Sequence, residues 1–164
     1  MRTVVSAIGE NGPVRVSAKA DYAVRAAVEL AASDHLPIKA EQIANNQSIP
    51  LTFLVKILHE LRTAGLVRTQ RGPEGGHELA RPAADISIAD VLRAVEGPLA
   101  EVRGNPPESL HYAGSAEPLQ RVWIALRTNM RGVLETVSLA DVAGDRLPNE
   151  IDVLADNRES WVTR

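Results

Sequence analysis

The chain has 164 residues, of which 45% are hydrophobic but only 3% aromatic, and its formal net charge is −3. This length allows one domain with a real core plus an appendage, and an aliphatic, alanine-rich core favours close-packed helices over a β-sandwich. The absence of cysteine excludes disulfides and cysteine-ligated clusters, and without a run of about 18 apolar residues we expect a cytoplasmic protein with no membrane span.

The first half of the chain predicts three helices, of which the second and third are joined by a tight turn. Residues 1–13 are expected to form a flexible extension, and Ser17 is the predicted N-cap of the first helix. A short helix is predicted over Ala40–Asn46, and Pro50 begins the next one. That next helix has an apolar stripe at the spacing of a face turned to a core. The stripe consists of Phe53, Leu54, Ile57, Leu58 and Leu61.

A glycine-rich hairpin follows the helix that Pro50 begins. Gly65 is suited to end the helix, and strands are predicted over residues 66–69 and 77–80. The turn between them carries Arg71 at its tip. Together these elements predict a winged helix-turn-helix domain over residues 14–98, in a mainly α fold.

Positive charge is concentrated in this part of the chain. Residues 56–81 carry five basic and three acidic side chains, whereas residues 82–107 and 108–164 are net negative. Lysine and arginine suit phosphates or guanine, and threonine suits bases or phosphate. Each of these residues could instead lie on an ordinary solvated face. The predicted DNA-binding residues are Lys19, Arg25, Thr52, Phe53, Lys56, His59, Arg62, Arg71, Gly72, Gly75, Gly76 and His77.

The segment 99–117 contains too many glycines and prolines for an ordered element of any length, and we expect a sensor-type loop. A helix starting at Ser87 precedes it and ends at Gly97. The loop could line an effector pocket for a small molecule, or it could simply pack against its neighbour. The pocket residues would be Arg103, His111, Tyr112 and Trp123. A metal site at His111, Glu108 and Glu117 is a weaker alternative.

A long helix is predicted over residues 118–137, where about twenty residues give roughly 30 Å of length. The preceding helices can cover only part of it, so a second copy is the expected cover; packing within one chain is the alternative. Residues 118–147 form this helix and a short one after Ser138, and residues 148–164 a flexible tail. The predicted dimerisation residues are Leu119, Val122, Trp123, Leu126, Met130, Val133, Leu134 and Val137.

Several linked motifs resemble the Rrf-two (Rrf2) family of bacterial winged-helix regulators, which includes IscR-, NsrR- and CymR-like proteins. They are residues 17–26 (Ser-Ala-Lys-Ala-Asp-Tyr-Ala-Val-Arg-Ala), 61–67 (Leu-Arg-Thr-Ala-Gly-Leu-Val), 71–76 together with 79–82, and 88–98. The resemblance also places a tryptophan, Trp123, in the long helix. It covers about residues 14–147 and implies a homodimeric DNA-binding regulator, with double-stranded DNA as partner.

Three departures from that family pattern change the expected function. The cysteines that hold an iron–sulfur cluster in family sensors are absent, so no cofactor is expected. His77 stands where the wing usually has an aromatic residue, and Val55 where relatives often carry an acidic residue that reads cytosine. DNA binding therefore carries over, but target sequence and cluster sensing do not.

An enzyme is not expected, because the four histidines lie in separate segments and no nucleophile–base pair or phosphate loop is visible. The favoured function is a dimeric repressor that binds a pseudo-palindromic operator through its recognition helix and wing. The alternative is a winged-helix module for protein contact, regulated through a protein partner. An exposed Arg71 on a basic surface would favour DNA, and an apolar wing would favour protein.

Overall fold

The computed structural model describes residues 15–163, so the extension predicted over residues 1–13 lies outside the described residues. Helix α1 spans Ala18–Ala32 and is the centre of the fold, in contact with four of the helices that follow it. Ser17 caps it as predicted, since the Ser17 hydroxyl oxygen accepts from the Ala20 N–H at 3.0 Å. Small side chains let other helices approach α1 closely. Its buried residues are Ala20, Ala23, Ala26, Ala27 and Leu30.

Helices α2 (Ala40–Gln47) and α3 (Leu51–Thr63) form the predicted helix-turn-helix. The inward face of α3 consists of Leu54, Ile57, Leu58 and Leu61. The expected burial of Phe53 is wrong, because this residue is 56% exposed. The buried stripe of α3 is only about 100° wide, and Phe53 lies about 100° before Leu54 around the helix, outside that stripe.

The wing consists of β1 (Val67–Gln70) and β2 (Gly76–Leu79), antiparallel, with Thr69 opposite His77. Each strand lies within one residue of its predicted position, and Gly65 has the left-handed φ of +76° expected at the end of the helix. A third segment extends this sheet. Ile38, just before α2, donates to the His77 carbonyl at 2.9 Å and accepts from the His77 N–H at 2.7 Å.

Helices α4 (Ile88–Glu96) and α6 (Leu139–Ala143) start with matching capping boxes at Ser87 and Ser138, as predicted. Their starts are joined by backbone hydrogen bonds, from Ile88 N to Val137 O and from Leu139 N to Ile86 O, both 2.9 Å. This pairing connects the end of the chain to the winged domain.

Helix α5 spans Leu119–Leu134 and is shorter than predicted. The placement of Val137 on this helix is wrong. The β-branched Thr136 and Val137 and the capping Ser138 favour ending α5 early, and Val137 is instead buried, with its carbonyl bonded to α4.

The segment 99–117 is more ordered than its composition suggests. It contains 3-10 turns at Pro107–Ser109 and Gly114–Ala116, and Pro107 and Leu110 are buried. The Gln120 side-chain amide of α5 donates to the carbonyls of Pro107 and Glu108 at 3.3 and 3.1 Å. Prolines and glycines exclude a long helix here, but short turns anchored by two apolar residues remain available.

The tail also differs from the expectation of little order. It forms α7 (Asn149–Ala155) and a 3-10 turn at Arg158–Trp161. Pro148 is the N-cap of α7, and Glu150 and Asp152 in the first turn complement the helix dipole. These start signals are present in the sequence, within a segment whose polar composition favours little order. Within residues 15–163, no helix is long and apolar enough to cross a membrane.

Candidate nucleic-acid interface

The outward face of α3 carries four of the residues predicted to bind DNA, and a fifth, the 56% exposed Phe53, lies at the edge of this face. Thr52, Lys56 and His59 are exposed, and so is Arg62 near the end of the helix. Between them lies Val55, which is 53% exposed. The opposite face of α3 is buried in the core, so the outward residues are presented on a fixed helix.

The cations of this region divide into free and paired ones. Across residues 15–163, neither Lys56 nor Arg71 forms an ion pair with another side chain. Arg62 is hydrogen-bonded to His59, with 3.3 Å between Nη2 and Nδ1. In contrast, the Lys19 ammonium lies 2.9 Å from the Glu60 carboxylate. Lys56 and Arg71 are therefore the cations best placed to meet a phosphate.

Arg25, also predicted to bind DNA, is engaged inside the protein. Its guanidinium lies 3.1 Å from the Asp21 carboxylate, donates to the Gln47 carbonyl and lies 5.5 Å from the centre of the Tyr22 ring. Because Gln47 ends α2, this contact fixes the turn that leads to α3. Arg25 acts on the interface through that turn.

Glu29 contributes to the same turn and is not among the predicted residues. Its two carboxylate oxygens accept hydrogen bonds from the side chains of Asn46 and Gln47 at 2.7 and 2.6 Å. The sequence signal that could have identified Glu29 is its spacing from Arg25, because residues four apart lie on one face of α1. Only the tertiary structure shows that this face meets the end of α2.

The wing tip consists of the turn from Arg71 to Gly75. Arg71 is exposed, and Gly72 has a φ of +107° with open space around it. The exposed residues leading to the tip, Thr69 and Gln70, are polar. This surface matches the pattern that favours nucleic acid over an apolar protein contact.

Gly75 and Gly76, also predicted at the DNA contact, serve the packing of the wing itself. A Cβ at Gly75 would lie 2.2 Å from the Gln70 carbonyl oxygen, and one at Gly76 would lie 2.4 Å from the Ile38 carbonyl oxygen. Gly75 is moreover buried. Both glycines are required where two stretches of backbone of this same chain approach closely.

His77 is half-buried at the base of the wing, with Nδ1 3.5 Å from the Thr69 hydroxyl oxygen. Burial lowers the pKa of His77 below its ordinary value of 6.5, the nearby Arg62 lowers this pKa further, and Glu41 opposes the shift. The imidazole is therefore mostly neutral at pH 7. It can donate or accept a hydrogen bond but supplies no charge for a phosphate.

The structure joins two of the four predicted effector-pocket residues. The Trp123 indole N–H donates to the Tyr112 hydroxyl at 3.0 Å, which ties the loop to α5. His111 is exposed, and Arg103 is exposed at the tip of a tight turn closed by Val102 and Asn105. Two shallow cavities of the described chain are lined by other residues, at the base of the wing and beside α4.

The suggested metal site in this loop is not formed. Glu108 is paired with Arg127 of α5. The pKa of Glu108 is lowered by its own backbone N–H and then by the Arg127 hydrogen bond. Over residues 15–163, no three histidine, aspartate or glutamate side chains are close enough to hold an ion.

Helix α5 carries most of the predicted dimerisation residues, and none of its residues is buried within the described chain. Val122 and Val133 are 53% and 38% exposed, and Leu119, Trp123, Leu126, Met130 and Leu134 are half-buried. An apolar stripe along a whole helix is ordinarily covered. This face of α5 is available to a partner.

The chain is similar to known transcriptional regulators. A family model described as Rrf2, iron-dependent transcriptional regulator, matches residues 16–145. Rv1287 of Mycobacterium tuberculosis (strain ATCC 25618 / H37Rv), a predicted HTH-type transcriptional regulator, is 54% identical over 145 residues, 88% of this chain and 90% of the relative.

Two solved structures share the fold. CymR (YrzC), the global cysteine regulator of B. subtilis, has a TM-score of 0.68 at 29% identity, covering 81% of this chain and 98% of CymR. IscR of T. potens has a TM-score of 0.62 at 30% identity, covering 92% of this chain and 93% of IscR.

The matching family model is described as iron-dependent, which calls for a test of whether this chain has suitable ligands. Its sequence contains no cysteine, the residue that supplies most ligands of iron–sulfur clusters. Its histidines and carboxylates form no group of three over residues 15–163. The residues present do not fit an iron–sulfur cluster.

Proposed function

We propose that this chain, which belongs to the Rrf2 family of transcriptional regulators, is a cytoplasmic repressor that binds a pseudo-palindromic operator as a homodimer. DNA-binding regulation, not enzymatic activity, is the activity of this family. The observation that supports operator binding is the combined surface of α3 and the wing tip. It presents Lys56 and Arg71 without an ion partner among residues 15–163.

The roles of the individual residues follow from their exposure and chemistry. Lys56 and Arg62 contact phosphates, and Thr52 is the best candidate for a hydrogen bond to a base. Arg71 enters the minor groove where it narrows, since a narrow minor groove has enhanced negative potential. Arg25 and Glu29 hold the turn before α3 and so set the angle at which the helix meets the groove.

The dimer is proposed from α5. A helix of 16 residues is about 24 Å long, and its uncovered apolar stripe suits a second copy of itself. Two-fold symmetry would place two α3 helices on one face of DNA, with half-sites about one helical turn apart. That arrangement explains why the operator should be pseudo-palindromic.

Regulation in this proposal acts without an iron–sulfur cluster. The loop 99–117 contacts α5 through Tyr112 and Trp123, and it follows the winged domain directly. A small-molecule or protein effector that binds there would change the spacing of the two α3 helices, provided it binds two arrangements with different affinity. The purified protein should be colourless.

The test uses DNA selected from a random library by the full-length protein, followed by anisotropy titrations over a range of salt. Lys56→Ala should weaken binding evenly across sequences and flatten the salt slope by about one unit. Arg71→Ala should weaken binding more strongly. Lys19→Ala is the matched control, because Lys19 is paired with Glu60; it should change the salt slope little.

Wild-type affinity for Arg71→Ala at every salt concentration would remove the wing from the interface. A visible absorbance at about 400 nm with stoichiometric iron would contradict the proposal that no cluster is bound. Unchanged operator release by cell extract for both Tyr112→Ala and His111→Ala would remove the loop as sensor.

A further inference from the structure

The outward face of α3 lacks a free carboxylate. Glu60 is the only acidic residue of the helix, and its carboxylate lies 2.9 Å from the Lys19 ammonium on α1. Glutamate or aspartate is the side chain that accepts from the N4 amino group of cytosine in the major groove. This helix therefore has no such group free to select cytosine.

An apolar side chain occupies the middle of that face instead. Val55 lies one turn from Thr52 and one turn from His59, so it stands between two polar outward residues. It is 53% exposed, and Leu51, one turn before it, is 40% exposed. The opposite face of the helix is buried in the core. The exposure of Val55 and Leu51 is therefore not due to poor packing of the helix.

The major groove offers one apolar group on base edges, the C5-methyl group of thymine. A branched aliphatic side chain that enters the groove must either contact such a methyl group or lie against polar base edges, which costs the hydration of those edges. Valine also has a stiff side chain, so its methyl groups keep a fixed direction from the helix.

We infer that Val55 reads the C5-methyl group of a thymine in each operator half-site. The inference rests on the proposed function, because it requires α3 to lie in the major groove. Thr52 and Lys56 flank this contact, so the thymine lies inside the half-site rather than at its end. The helix thereby selects thymine over cytosine by an apolar contact.

The experiment replaces each thymine of the selected operator, one at a time, with deoxyuridine. Deoxyuridine pairs as thymine does and lacks only the methyl group. At one position in each half-site the affinity should fall about fourfold, the loss that corresponds to one buried methyl group. The other positions should change little.

The assignment to Val55 is tested by combining this DNA with Val55→Ala. The variant should bind the thymine operator more weakly than the wild type, and the deoxyuridine substitution should then have no further effect. Val153→Ala is the matched control, an exposed valine on α7 that should keep the full deoxyuridine penalty. A second selection with Val55→Glu should replace the thymine with cytosine, because the new carboxylate accepts from N4.

Each outcome decides between the two proposals. If no sequence is selected, operator recognition itself fails and the inference falls with it. If an operator is selected but every deoxyuridine substitution leaves the affinity unchanged, only the inference is overturned. A penalty that persists in Val55→Ala assigns the methyl contact to another residue and also overturns it.

Discussion

Twenty of the 23 buried hydrophobic residues of the described chain lie in residues 15–98, whereas eight of its 13 exposed large hydrophobic residues lie in residues 99–163. The winged domain thus has a core of its own, arranged around α1. The second region contributes only Leu110, Val137 and Leu139 to the buried hydrophobic residues, and the apolar stripe of α5 is half-buried or exposed.

This difference in burial indicates that the two regions are stabilised in different ways. The winged domain is stabilised by contacts within one chain, so its unfolding should not depend on protein concentration. The stability of the second region should depend on association, because a partner that binds only the folded form adds stability by mass action. Four tests can break or sharpen this comparison.

The largest effect is expected for Leu61→Ala in the winged domain. Leu61 is fully buried, and its truncation leaves a cavity that should cost about 2–5 kcal/mol of unfolding free energy. Urea denaturation at two protein concentrations should give the same loss. Leu126→Ala on half-buried α5 is the control, and its loss should shrink as the protein is diluted, because the dimer contact no longer stabilises the wild type once both proteins are monomeric. Equal, concentration-independent losses would contradict the comparison.

Two glycines provide the next test. Gly76→Ala places a Cβ 2.4 Å from the Ile38 carbonyl oxygen and should cost about 1–3 kcal/mol through the shift of packed backbone. Gly132→Ala in α5 meets open space at an ordinary helical φ, so it should stabilise the helix by up to about 1 kcal/mol. Thermal unfolding measures both; destabilisation by Gly132→Ala that is lost on dilution would indicate a close approach of the partner's α5.

Leu126→Glu tests the association directly. A carboxylate in the apolar stripe of α5 should weaken the dimer by at least about tenfold, equivalent to about 1.4 kcal/mol. Sedimentation velocity over a dilution series measures this, with Val153→Glu on α7 as the control. A dimer of unchanged affinity in Leu126→Glu would exclude α5 as the dimerisation helix.

The smallest effect is expected from pH. The pKa of His77 is lower in the folded chain than its ordinary 6.5, so the unfolded chain binds more protons as pH falls below that value. Stability should therefore decrease from about pH 8 to about pH 5, but only slightly, because the ring is half exposed and solvent screens its charge.

His77→Phe should flatten this dependence. Glu41→Gln should strengthen it, since the Glu41 charge opposes the lowered pKa. Chemical denaturation at several pH values measures the slope. A slope of the same size in His77→Phe would assign the dependence to other groups.

The sequence predicts the elements of the winged domain well because their signals are local. Ser17, Gly65 and Ser87 each mark a boundary through their own backbone and capping chemistry. The stripe of α3 is likewise set by periodicity. The width of the stripe is not, so periodicity alone assigns Phe53 to the core although its side chain is exposed.

Pairing across the fold is what local signals cannot predict. The engagement of Lys19 by Glu60 and of Arg25 by the Gln47 carbonyl depends on how α1 packs against α2 and α3. Charge type alone makes all four of Lys19, Arg25, Lys56 and Arg71 equivalent candidates. The structure separates them into two that hold the domain together and two that remain available to a ligand.

The two backbone hydrogen bonds between Ile38 and His77 affect how hybrids of such regulators can be made. Because Ile38 precedes α2, the wing is continuous with the segment that leads into the helix-turn-helix. A hybrid that exchanged only residues 67–79 with a relative would set a foreign strand edge against the Ile38 amide and carbonyl. An exchange that keeps this pairing must therefore include Ile38 together with the wing strands. The helix-turn-helix that lies between them in the chain is then exchanged along with the wing.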